Sequence, residues 1–213
     1  IRRPPRSTLD RSSAASDVYK RQIMNIFILD KDPKIAAQML CDKHIPKMIV
    51  ESAQMLSTAH RMLDGIPEKR RSKSGKTIQT YYSFGDIRDN LYYLAVHKYH
   101  PCTTWTMESL DNYNWHYGHF ASMAAEYNYR REKTHATWQK MGMILAAPPE
   151  NIPKKGLTEF VQAMSHFPDC KVEGDAVQAY RNYYHAAKPF AKWEWKRSAP
   201  NWWKGYQGAN LHS

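Results

Sequence analysis

The chain has 213 residues, 31 Lys and Arg against 20 Asp and Glu, and a net charge of +11. It contains no apolar run long enough to span a membrane. Its three cysteines, Cys41, Cys102 and Cys170, are odd in number and widely spaced, which argues against a disulfide framework and for a reducing cytoplasm.

Residues 1–23 have neither the periodicity of a helix nor the apolar centre of a signal peptide. Their SSAASDVYKRQ segment reads as translated sequencing adapter, which makes 1–23 a disordered extension and Met24 the natural start. The alternative is a disordered basic arm that touches nucleic acid. The extension holds six Lys or Arg and two Asp, a net +4, so +7 of the +11 belongs to residues 24–213. A basic surface of this size points to an anionic partner, with nucleic acid first.

From Met24 onward the composition predicts one all-α domain around a central amphipathic helix, with no internal repeat. Residues 25–29 are a short apolar run, and Asp32-Pro33 opens a helix to about residue 40. Pro46 then starts the central helix, with Ile45, Met48, Ile49, Ala53, Leu56, Ala59 and Leu63 at core spacing and Gly65 as the stop. Residues 65–80 are rich in Gly, Ser, Lys and Arg and read as a mobile basic loop; Lys69, Arg70, Arg71, Lys73 and Lys76 either meet phosphates or are simply solvated. Asp86 caps a helix over 86–96 with Ile87, Leu91, Leu94 and Ala95 inside. After a break at His97–Pro101, Thr103 or Thr104 caps a long helix over 103–129. Further helices follow over 131–143, 157–166 and 174–187, and a Trp- and Lys-rich segment closes the chain over 188–213.

Chemistry concentrates at the mouth of the central helix, in Asp42, Lys43, His44, Lys47 and Glu51. Amine plus carboxylate is the minimum kit for imine chemistry at a sugar carbon: the amine attacks, and the carboxylate moves the proton. The plain alternative is an i, i+4 salt bridge between Lys47 and Glu51. Cys41-x-x-His44, His97-x-x-His100-x-Cys102 and His116-x-x-His119 lack the spacing of known zinc sites, so no metal and no cofactor is expected. There is no phosphate loop, nucleophile elbow or dinucleotide fingerprint. Aromatic and basic residues interleave over 193–206. Such a tail either stacks on unpaired bases or docks on the helices to close the core.

His44-Ile45-Pro46-Lys47 and the run from Arg197 to Tyr206 (RSAPNWWKGY) resemble the corresponding parts of the phage pyrimidine-dimer DNA glycosylases (phage endonuclease V), over about a fifth of the chain. Residues 24–213 as a whole resemble phage-encoded proteins of uncharacterised role. The glycosylase resemblance implies a helical domain that flips a nucleotide, attacks the sugar C1′ with an N-terminal amine and cleaves the strand by β-elimination. It implies Lys47 on phosphate, Lys43 as a basic neighbour, and a DNA-contacting tail with Arg197, Trp202, Trp203, Lys204 and Tyr206. His44 stands where that family has its glutamate, and Asn25 behind Met24 where it has an N-terminal threonine. The expected catalytic group is therefore Lys43 (or the amine at Met24), Asp42, His44 and Glu51, with His100 beside it on DNA. The expected activity is DNA glycosylase and AP lyase on a damaged or modified base. The alternative is a non-catalytic phage protein that binds DNA or a host protein.

Overall fold

The structure is a computed structural model and describes residues 24–208; the expectations for residues 1–23 lie outside it. Seven α-helices and one two-stranded sheet follow one another among the described residues. They are α1 (Pro33–Met39), α2 (His44–Asp64), β1 (Ile66–Arg71), β2 (Ile78–Ser83), α3 (Arg88–Leu91), α4 (Pro101–Glu108), α5 (Leu110–Arg131), α6 (Ala136–Met141) and α7 (Ala176–Ala187). Mostly helical is therefore correct, and purely all-α is not.

The central helix is present. α2 packs on α5 and α4, and α1 packs on α5. Ile45, Met48, Ile49, Ala53, Leu56 and Ala59 are fully buried, as their spacing requires, and Leu63 packs at the edge of the same core. The helix is enclosed further than an amphipathic stripe needs, because His44, Glu51, Ser52, Met55, Ser57, Thr58, His60 and Arg61 are buried as well. Such a helix must satisfy polar groups internally. His60 bonds Tyr113 at 2.9 Å, and Ser52 bonds His116, which bonds Thr106 in turn. Pro46 falls in the first turn, where a missing amide is harmless.

Where the elements differ from expectation, side chains have taken over the backbone's hydrogen-bonding groups. The 86–96 helix shrinks to the single turn α3. The buried Arg61 guanidinium draws in the carbonyls of Asp89, Tyr92 and Tyr93 at 2.6–3.0 Å, and a continuous helix would need the first of these for itself. Ile87 and Leu94, expected inside, are exposed. Asp86 does not cap a long helix; its carboxylate accepts from the Arg88 amide and pairs with the Arg88 side chain.

The 103–129 helix divides at Ser109, whose Oγ accepts from the Asn112 amide and starts α5. His100, not a threonine, caps α4. α5 ends on Glu132 in the left-handed region, so 131–143 keeps only α6, recapped by His135. Residues 157–166 form no helix. Asn112 holds Thr158, Tyr180 bridges the backbone of Val161 and Ala163, and Gln162 pairs with the Val172 backbone. The 174–187 helix is present as α7, capped by Asp175. The expected basic loop is a hairpin, β1 pairing antiparallel with β2 from Ile66↔Ser83 to Arg71↔Ile78.

Candidate functional site

Residues 24–29 are buried and belong to no helix or strand. The Asn25 side chain organises the start of this segment: Oδ1 accepts from the amides of Ile26 and Phe27, and Nδ2 donates to the Ala163 carbonyl. This turn brings Phe27 to φ 54°, a sparsely populated conformation for an aromatic residue. The result is that the Asn25 amide donates to Glu51 Oε2 at 3.1 Å, and the Phe27 ring stacks on the His44 imidazole at 4.4 Å. The first described residues are thus folded onto the mouth of α2.

Glu51 is 8% exposed, and its other oxygen lies 3.5 Å from Lys47 Nζ. Burial raises its carboxyl above the ordinary range, against the pull of Lys47, the Asn25 amide and Lys188. His44 is buried, its Nδ1 2.5 Å from the Tyr184 hydroxyl, while Nε2 has no hydrogen-bond partner among the described residues. Burial, then the charges of Lys188 and Lys47, hold it neutral, well below the usual imidazole pKa.

Lys188 completes the cluster. It follows the last turn of α7, is 3% exposed, and holds its ammonium 4.5 Å from the centre of the Tyr183 ring and 5.1 Å from that of Phe27. Burial and the neighbouring Lys47 bring its pKa down to about 8, with Cys41 and Glu51 acting in the opposite direction. A buried amine of lowered pKa whose charge acts on a carboxyl of raised pKa is a pairing suited to nucleophilic and acid–base chemistry. The cluster meets solvent along the Lys47 edge, where that side chain keeps 37% exposure.

The other expected site residues fall elsewhere. Asp42 is a structural carboxylate: Oδ1 accepts from Arg130 at 2.9 Å, and Oδ2 accepts from the amides of Glu194 and Trp195. Arg130 also binds Glu126 and the carbonyls of Leu40 and Gln38, and Glu126 binds Arg197 through both oxygens. This chain of charges bolts α1, α5 and the tail together. It occupies Asp42, expected to be catalytic, and Arg197, expected on DNA. Lys43 is exposed, with its ammonium 5.4 Å from the Phe190 ring centre. His100 uses Nδ1 to accept from the Cys102 amide as a helix cap.

The tail docks on the body. Trp202 Nε1 reaches Met39 Sδ, Trp203 stacks on His185 at 5.0 Å, and the Lys204 amide donates to His185 Nε2. Both tryptophans are half-buried, which is the core-closing alternative; the Lys204 and Tyr206 side chains stay exposed. A cleft of about 780 Å³ lies between α1, α7 and this tail, lined by Ile35, Gln38, Met39, Arg181, Arg197 and Trp202 among others. Glu51, His44 and Lys188 do not line this cleft. Among the described residues no group of three or more His, Cys, Asp or Glu side chains is assembled for a metal ion, and no helix is long and apolar enough to cross a membrane.

No protein-family model, curated protein or solved structure matches this chain.

Sequence reasoning missed Lys188 because it stands alone, 137 positions beyond Glu51 and just before a proline. The one available signal was its position at the end of a clean amphipathic helix, in a run of small and aromatic residues.

Proposed function

We propose that this chain acts on DNA as a glycosylase and AP lyase, with Glu51 as its acid–base group and Lys188 as its amine. The observation that carries the reading is Glu51, a buried carboxyl that accepts the Asn25 amide beside a buried amine of lowered pKa. The glycosylase resemblance supports the activity and the DNA substrate alone, since it implies an N-terminal amine and sets its glutamate where His44 stands. Geometry favours Glu51 over Asp42 for the acid, because Asp42 is saturated by Arg130 and two amides.

In this reading the neutral Lys188 amine attacks the sugar C1′. The C1′–N bond to the base breaks, its electron pair leaves with the base, and the Glu51 carboxyl protonates the leaving group. The amine then gives up a proton, the C1′–O4′ bond breaks as the nitrogen lone pair forms the iminium at C1′, and a proton passes to O4′, which becomes a hydroxyl. The Glu51 carboxylate then removes a proton from C2′, and the C3′–O bond breaks by β-elimination. Lys47, at the solvent edge, holds the phosphate of the flipped nucleotide, and water releases the amine. The substrate class is a damaged or modified base, or the abasic site that follows its loss.

Borohydride trapping on duplex DNA with an abasic site, and on a panel of modified bases, tests this. The full chain should form a covalent adduct that Lys188→Met abolishes and Glu51→Gln slows by about 100-fold or more. An adduct that survives Lys188→Met but appears only in a chain beginning at Met24 transfers the nucleophile to the terminal amine. No adduct on any substrate from either chain rejects the enzyme and leaves a non-catalytic binding protein.

A further inference from the structure

The hairpin of β1 and β2 projects from the helical body. All six residues of β1 are exposed, as are the first two of β2, so most of the arm stands clear of the body. Isolated two-stranded hairpins are marginal in water, and this one is stabilised at its base. Arg61, with its side chain only 3% exposed, donates to the Tyr82 carbonyl at 2.7 Å and pairs with Asp89. Asp89 in turn accepts from Ser83 Oγ and from the amides of Phe84 and Gly85. Lys98 Nζ donates to the Thr80 carbonyl. The molecule thus uses a buried guanidinium to aim an arm that contributes almost nothing to its core.

Residues 66–83 hold Lys69, Arg70, Arg71, Lys73 and Lys76 against Glu68 alone, five minus one, or +4. Arg70 is taken by Glu68 at 3.2 Å and by the Tyr81 ring at 4.9 Å. Lys69, Lys73 and Lys76 make no ion pair among the described residues. Lys69 and Arg71 are two apart on β1, so they share one face of the ribbon with their partners Thr80 and Ile78. Basic residues on an exposed strand edge discourage a third strand from pairing there, which disfavours a protein partner adding to the sheet. Two strands about 5 Å apart fit a B-DNA major groove about 12 Å wide, and six residues span roughly 20 Å.

We infer that residues 66–83 are a DNA-binding arm that enters the major groove of a duplex, with Lys69, Lys73 and Lys76 on phosphates. The inference rests on the reading above only for its choice of DNA; the arm itself is independent of Glu51 and Lys188.

The test is salt-dependent binding of the full chain to duplex DNA, comparing Lys69→Gln/Lys73→Gln/Lys76→Gln with the charge-matched Lys154→Gln/Lys155→Gln/Lys171→Gln. All six lysines are exposed, so both variants keep the fold, as a circular dichroism melt will verify. Three full phosphate contacts are worth at most about 100-fold in affinity at 0.15 M salt. The arm variant should lose about tenfold or more and flatten the log–log salt slope by about 2 to 3, while the control changes by less than about threefold. Equal losses in the two variants overturn the proposal, since net charge alone then accounts for binding. Equal affinity for polyglutamate of matched length overturns the choice of DNA. Arm-dependent binding without any trapped adduct removes the lyase and keeps the arm. Adduct formation with arm-independent binding does the reverse.

Discussion

Lys188→Met tests the energetic basis of the proposed site. In the folded chain the ammonium is 3% exposed and its pKa falls from 10.5 to about 8, a difference of about 2.5. At 1.36 kcal/mol per pKa unit, burying the charged form costs about 3.4 kcal/mol at neutral pH. The Tyr183 and Phe27 faces return about 0.5–1 kcal/mol each. A methionine of similar reach removes the charge and retains the packing, so the variant should gain about 1.5–2.5 kcal/mol at pH 7. The sign follows from proton binding. Between pH 8 and 10.5 the unfolded chain binds the Lys188 proton and the folded chain does not, so wild-type stability from this group rises with pH across that window. The gain of Lys188→Met should therefore be complete below pH 8 and fade toward pH 10.5. Urea unfolding of both proteins at pH 7 and pH 10 measures it. A variant destabilised by 2 kcal/mol or more at pH 7 would refute the argument, because Lys188 would then be a stabilising structural cation rather than an amine held at an energetic cost.

Three other outcomes follow from the buried polar groups. His60, His116 and His119 have pKa values lowered by burial to about 4, 3 and 4, so below pH 6.5 the unfolded chain takes up protons that the folded chain refuses. At pH 5 each should have removed about 2 kcal/mol, with the raised carboxyl of Glu51 acting in the opposite direction, and a urea midpoint unchanged from pH 7 to pH 5 would contradict this. Asp42→Ala leaves the buried Arg130 without one of its two carboxylates and should cost about 3–5 kcal/mol in chemical unfolding. Arg61→Ala removes the mount of the hairpin; limited proteolysis should then cut within residues 66–83 well before the body unfolds, and equal resistance to wild type would show that the arm holds itself.

The sequence made α2 and α7 readable because their periodicity and their core packing agree. It misled over 86–96 and 157–166 for one shared reason: distant side chains claim the backbone there. Arg61 is 28 residues from Asp89, and Asn112 is 46 from Thr158, so no local window contains the competitor. Propensity then describes an isolated segment rather than the folded one. The basic loop was misread for another reason, since β1 gains its order from β2 and from Arg61 rather than from any burial of its own.

The same logic separates the acids at the head of α2. Asp42 and Glu51 looked equivalent as carboxylates near a basic turn, yet their partners differ in kind. Asp42 faces a guanidinium and two amides that occupy both of its oxygens and hold it in place. Glu51 faces one amide, one half-exposed lysine and a buried amine whose own proton is loosely held. Burial raises the pKa of this carboxyl, while Lys47, the Asn25 amide and Lys188 pull it down, so opposing influences meet on Glu51. Glu51→Gln can keep the bond from the Asn25 amide while removing the titration and the ion pair with Lys47. Catalysis lost with stability retained would then assign Glu51 to proton transfer. Loss of both together would make it, like Asp42, a carboxylate that serves the fold.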